Sequence, residues 1–174
     1  MINLSQTSPH KNHNYATNLL ISLLMRFPEI MSINFNLPRD KAKFTFVLKG
    51  KPSKEEFAHF TWLLEESFLT LQEISEETVK VKTKLQSAQD ISILTVSSNT
   101  SCLSLESIQL ICGVVCSEFS HTVIRDADTL ETFHDDELMR QEEIIDYLLS
   151  RSTAAKDGNL VAFRDSGKVF VYNK

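Results

Sequence analysis

The feature that most constrains the fold is a continuously apolar stretch near the middle of the chain, residues 103–119. Wound as a helix at 100° per residue, it places one apolar stripe on one side, made of Leu105, Ile108, Cys112, Val115, Cys116 and Phe119. A second stripe, with Leu103, Leu110 and Val114, lies roughly opposite. A helix with two apolar faces must be covered on both. It therefore lies between two layers of its own domain, or between a sheet and a second copy of the chain.

Three pairs of alternating apolar and polar segments predict β-hairpins. They are residues 33–37 with 44–48, 79–85 with 91–96, and 160–164 with 168–172. Apolar residues at helical spacing predict helices over residues 15–27, 55–74 and 133–151. A Ser53–Glu56 capping box begins the second of these helices. We predict an α+β fold with a mainly antiparallel sheet built from repeated helix-hairpin units, the helices packed in a layer on the sheet.

Length and composition indicate one soluble domain. The chain has 174 residues, enough for a full core, and we assign residues 15–174 to a single α+β domain preceded by a polar, flexible N-terminal arm over residues 1–14. No apolar run approaches the roughly 20 residues that a membrane-spanning helix needs. Three cysteines, an odd number, do not make a disulfide framework, so we predict a cytoplasmic protein without membrane contact.

Several catalytic motifs are missing from the sequence. The four glycines, at positions 50, 113, 158 and 167, are too far apart for a phosphate-binding loop or a dinucleotide fingerprint. No Gly-x-Ser-x-Gly elbow occurs. We therefore lean against an enzyme and predict no cofactor.

Two groups of side chains are weak candidates for metal or thiol chemistry. Cys112 and Cys116 could join Cys102 and His121 around zinc, but their place in the apolar stripe favours core thiols. Cys102 lies near a helix N-terminus, where the dipole favours a thiolate, yet no neighbouring base is evident. Among the acidic residues between 126 and 136, the divalent-metal candidates are Asp126, Asp128 and His134, and a solvated helix start is the favoured alternative.

Positive charge is concentrated in the first part of the chain. Residues 1–100 carry 11 Lys and Arg against 10 Asp and Glu, a net +1, while residues 101–174 carry 7 against 13, a net −6. If the first two hairpins share a sheet, five lysines form an anion-binding candidate: Lys43, Lys49, Lys80, Lys82 and Lys84. Because this lysine face lacks the aromatic side chains that sheet-based RNA readers use for base stacking, we favour a solvated face or an edge strand protected by lysine.

The single tryptophan marks a candidate interface. Trp62 and Leu69 project from helix 55–74 on the side opposite its phenylalanine-rich stripe, among glutamates, so a partly exposed aromatic is predicted there. The alternative is that another helix of the chain covers Trp62. Leu110 and Val114, in the second stripe of the central helix, are the other interface candidates.

These observations rank three functions. The first is a small non-enzymatic binding or assembly module in the cytosol that associates with itself as a homodimer. The second is an RNA-binding or ribosome-associated protein that uses the lysine face, with nucleic acid not favoured because the overall charge of −5 repels it. The third is a small metal- or thiol-dependent enzyme.

Overall fold

The computed structural model describes residues 9–76, 78–126, 135–152 and 158–174. In this part of the chain the helices are α1 (Pro9–Arg26), α2 (Lys54–Ser75), α3 (Leu105–Glu118) and α4 (Asp135–Ser152), with one 3₁₀ turn at Thr100–Cys102. The strands are β1 (Ser32–Asn36), β2 (Lys41–Lys49), β3 (Lys82–Ala88), β4 (Ile91–Ser98), β5 (Asn159–Asp165) and β6 (Lys168–Asn173).

All six strands form one antiparallel sheet in the order β3-β4-β2-β1-β5-β6. Each predicted hairpin keeps its two strands adjacent, and the pairings β2 with β4 and β1 with β5 join the three hairpins. The α+β class with an antiparallel sheet is therefore confirmed. The repetition of helix-hairpin units is not confirmed, and the helices pair α1 with α4 and α2 with α3.

One face of the sheet carries the core. Alternate residues of the central strands point to this face and are fully buried, including Ile33, Phe44, Phe46 and Leu94. α1 packs on β5 and β6, and α4 packs on α1. Phe60 of α2 meets Phe119, at the end of α3, with ring centroids 5.3 Å apart.

The central helix α3 is covered on both sides by its own chain. Ser104 begins it with a capping box, exchanging hydrogen bonds with Ser107. Ile108 and Val114, from opposite stripes, are both buried. On the side of α4, Gln109 donates a hydrogen bond to Glu142. A second chain is not needed to cover this helix.

Some predicted boundaries were wrong. α1 begins at Pro9, whereas the apolar spacing predicts a helix from residue 15; proline is well suited to the first turn of a helix. β3 begins at Lys82, where its pairing with β4 begins, and the Val79 carbonyl accepts a hydrogen bond from Gln72 of α2. Between α3 and α4, Val123 forms a single isolated bridge with Leu48 of β2. Residues 1–8 of the predicted arm lie outside the described residues.

No helix among the described residues is both long enough and apolar enough to cross a membrane.

Candidate functional site

On the sheet face opposite the core, the side chains of the central strands are all exposed or half-buried, so none of the described helices packs over them, and we call it the helix-free face. Residues that pair across adjacent strands line up in rows that run across the sheet. Two neighbouring rows of such register partners cross the centre of this face from β3 to β6. The first row is Lys82, Ser97, Lys43, Asn34, Val161 and Tyr172. The second row is Lys84, Thr95, Thr45, Ser32, Phe163 and Phe170. The sheet thus brings lysines and aromatic rings from distant parts of the chain onto one surface.

Three of the predicted lysines lie in one half of these rows, on β3 and β2. Lys43 and Lys82 are the two register partners of Ser97, and Lys84 stands in the next row. Lys49 lies at the far end of β2, and Lys80 precedes β3, so neither belongs to the rows. None of the five lysines takes part in the ion pairs found among the described residues. Their charge is therefore left to solvent or to a ligand.

Three aromatic side chains occupy the other end of the rows, and the sequence reasoning missed them as part of this surface. Phe163 and Phe170 are register partners across β5 and β6 and stack with their centroids 5.4 Å apart, inclined by 19°. Tyr172 meets Phe163 edge-on at 5.9 Å. Phe170 is 44% exposed and Tyr172 is 47% exposed. The alternation of side chains along the two strands of the last hairpin indicates that the three rings lie on one side of it. This alternation cannot show that β5 pairs with β1.

The residues between the lysines and the rings are neutral. Most are short and polar, and the two rows contain no carboxylate. The Asn34 amide donates to Asn159 Oδ1 and to the Leu160 carbonyl, which ties β1 to β5 at the join between the two halves. With strands about 4.8 Å apart, five strand-to-strand steps span about 24 Å from Lys82 to Tyr172.

A cleft of about 420 Å³ lies beyond the end of β2 and includes Lys49, Lys51 and His121 in its lining. Two glutamates also line it, and each already has a partner. Glu56 accepts the Ser53 amide in the cap of α2, and Glu118 pairs with His59 at 2.8 Å. The mixed charge of this cleft makes it a poorer anion site than the rows.

The interface candidates differ in how much surface they offer. Trp62 is 55% exposed and Leu69 is 53% exposed on the outer side of α2, as predicted, with His59 against the indole at 5.9 Å. Leu110 is half-buried and Val114 is buried, so little of either side chain is left for a second chain to contact.

The thiols lie in or beside the core. Burial raises the pKa of the Cys112 thiol well above its usual range, and the neighbouring Glu29 carboxylate adds to the rise. Burial and Glu29 also raise the pKa of Cys116. Cys102 is half-buried against the core, with Ser101 Oγ 3.8 Å from its sulfur. For Cys112 and Cys116, the raised pKa disfavours the thiolate that nucleophilic chemistry and metal binding both require.

Of the three divalent-metal candidates between residues 126 and 136, the structure describes one. Asp126 pairs with Arg164 at 3.2 Å, while Asp128 and His134 lie outside the described residues. Among the residues that the structure describes, no group of His, Cys, Asp or Glu is arranged to hold a metal ion.

Asp40 is the centre of a densely hydrogen-bonded polar cluster beside the sheet. Its carboxylate accepts hydrogen bonds from Asn99, from Thr100, and from both the amide and the hydroxyl of Ser101. Burial alone would raise the pKa of Asp40, but these hydrogen bonds outweigh it and lower the pKa to about 2. With its lone pairs used by its own chain, Asp40 fixes the turn before β2 to the chain that follows β4.

No family model, curated protein or solved structure matches this chain.

Proposed function

We propose that the protein is a binding module that holds a polyanionic ligand on its helix-free face. The observation that supports this most directly is the group of Lys43, Lys82 and Lys84 on two adjacent rows that contain no carboxylate. In a chain of net charge −5, a surface of this kind offers a local attraction for phosphate groups against the overall field.

Protection of an exposed sheet edge explains only part of this pattern. β3 is an edge strand, and lysines on such a strand discourage pairing with another chain. This reason applies to Lys82 and Lys84. It does not apply to Lys43, because β2 lies inside the sheet between β4 and β1. Anion binding accounts for all three lysines together.

The test uses a ligand with phosphates and no bases. Long-chain inorganic polyphosphate is titrated into fluorescently labelled protein by microscale thermophoresis at several salt concentrations. We expect saturable binding at low salt and a logarithmic salt slope of about −2, since about 0.7 counterions are released per phosphate contacted on a single strand. The triple variant Lys43→Glu, Lys82→Glu, Lys84→Glu should lose this binding.

A matched control separates the surface from overall charge. The triple variant Lys51→Glu, Lys54→Glu, Arg140→Glu changes three exposed basic residues away from the rows and alters net charge equally. It should bind polyphosphate more weakly than the unaltered protein but far better than the first variant. Equal loss in both triple variants, or no saturable binding of the unaltered protein at low salt, would contradict the proposal.

Self-association is a second candidate function, favoured by the exposure of Trp62 and Leu69 on the outer side of α2. Buried aromatic side chains are common anchors of protein interfaces. If this surface joins two chains, sedimentation velocity will show a dimer that the double variant Trp62→Glu, Leu69→Glu converts to a monomer. A monomer at every concentration before substitution would exclude this function.

A further inference from the structure

We infer that the polyanion is a single-stranded nucleic acid whose bases stack on Phe163, Phe170 and Tyr172 while its phosphates contact Lys43, Lys82 and Lys84. This inference rests on the proposed function and names the ligand class of the same surface. It comes from the juxtaposition of two groups of side chains, one cationic and one aromatic, on the same two rows of register partners.

The aromatic end of the rows is suited to stacking. The rings of Phe163 and Phe170 form an offset pair with nearly parallel planes and centroids 5.4 Å apart. The ring of Tyr172 contacts Phe163 edge-on, with centroids 5.9 Å apart. The contacts between the rings hold them in a preformed arrangement, so little side-chain entropy is lost when a base binds. Phe170 and Tyr172 are each more than two-fifths exposed, which leaves ring surface for an unpaired base.

The spacing between the two ends suits a chain that carries both charge and bases. About 24 Å separate Lys82 from Tyr172 along the first row, and Lys43 stands between them. A free phosphate or a mononucleotide is too short to engage both ends. A single strand of several nucleotides can engage both, since non-specific sites on sheet-based modules take about 4–16 nucleotides.

The surface favours unpaired bases over a duplex. In a duplex the faces of the bases are stacked inside the helix, so the rings of Phe170 and Tyr172 could not reach them. The neutral hydroxyl residues on these rows, Thr45, Thr95 and Ser97, offer hydrogen bonds without repelling the backbone. Sheets that present aromatic residues in this way stack two or three bases of a single strand.

The test compares two ligands on two double variants. The ligands are an oligouridylate of about 12 nucleotides and the polyphosphate used above. The variant Phe170→Leu, Tyr172→Leu removes two exposed rings but keeps apolar side chains on β6, so the sheet is preserved. The matched control, Met139→Leu, Tyr147→Leu, replaces two exposed side chains of α4, one of them aromatic.

We expect the ring variant to bind oligouridylate at least about tenfold more weakly, with polyphosphate binding unchanged and the control normal for both ligands. The protein should also prefer the single strand to an RNA duplex of the same length. Oligouridylate binding that does not respond to loss of the rings would overturn this inference, and retained polyphosphate binding would leave the proposed function standing. Failure to bind either ligand would overturn both.

The third ligand in the test is polyglutamate, similar in length to the oligouridylate. If polyglutamate bound as tightly as oligouridylate, with the same dependence on the rings, the ligand would be an acidic polypeptide and the inference would be wrong. We expect polyglutamate to bind weakly and without dependence on Phe170 and Tyr172, because carboxylates carry no flat ring for these residues to stack on.

Discussion

At the scale of single residues, two charged side chains hold segments that are far apart in sequence. Asp40 joins the turn before β2 to residues 99–101, and Arg164 joins β5 to the end of α1. The Arg164 side chain is 7% exposed, pairs with Asp126, and donates to the carbonyls of Leu24, Phe27 and Ile30. Nothing in the sequence distinguished either residue from the other charged side chains, because their roles depend on contacts that only the folded chain makes.

Substitution of Asp40 should destabilise the protein in a pH-dependent way. The variant Asp40→Asn loses the carboxylate that accepts four hydrogen bonds, and we expect its free energy of unfolding to fall by about 1–3 kcal/mol at pH 7. Because the pKa of Asp40 is lowered from 3.8 to about 2, the difference from the unaltered protein should persist above pH 4 and disappear as pH falls towards 2. Urea denaturation at several pH values measures it. The exposed Asp90→Asn is the control, and a pH-independent difference for Asp40→Asn would contradict this account.

Removal of the Arg164 charge should lower the free energy of unfolding more than Asp40→Asn does. In Arg164→Met the carboxylate of Asp126 loses its ion pair in a site where it is 11% exposed, and carbonyls at the end of α1 lose their donor. We expect a loss of about 3–5 kcal/mol in the free energy of unfolding, as for other broken buried pairs. Arg140→Met, at an exposed position of α4, should change the stability by less than about 0.5 kcal/mol. Similar small effects of both substitutions in urea denaturation would refute the assigned role of Arg164.

At the scale of elements, the sequence predicted best what depends on periodicity and capping. The capping box of Ser53 and Glu56 and the apolar stripe of α2 are as expected, and all three hairpins form. Strand and helix ends were less predictable: β3 begins at Lys82 and not at Val79, whose carbonyl accepts a hydrogen bond from Gln72 of α2. The exposure of Trp62 was also predicted, from its position opposite the buried stripe.

The two sides of α2 should respond very differently to substitution. Phe60 is fully buried against Phe119, whereas Trp62, two residues later, is 55% exposed. Phe60→Ala should lower the free energy of unfolding by about 3–5 kcal/mol because it leaves a cavity in the core. Trp62→Ala should change it by less than about 0.5 kcal/mol in thermal or urea denaturation of the monomer. A large destabilisation by Trp62→Ala would show that the indole is packed against its own chain.

At the scale of the whole molecule, strand order is what makes the candidate site. The sequence pointed to the lysines of the first two hairpins, which do share a sheet through β2 and β4. It could not show that the last hairpin joins the same sheet beside β1, because pairing between strands more than 100 residues apart leaves no local pattern. The aromatic half of the surface was missed for this reason, and with it the combination of charge and stacking on which the proposals rest.

The most direct test of the central claim is a map of where a ligand binds. Isotope-labelled protein is titrated with the oligouridylate, and the shifts of its backbone amide NMR signals are assigned to residues. We predict that the largest shifts cluster on the helix-free face, at the two rows from Lys82 and Lys84 to Phe170 and Tyr172, and that they shrink as salt is added. Shifts confined to the outer side of α2, or no shifts at low salt, would contradict the claim that the helix-free face is the binding surface.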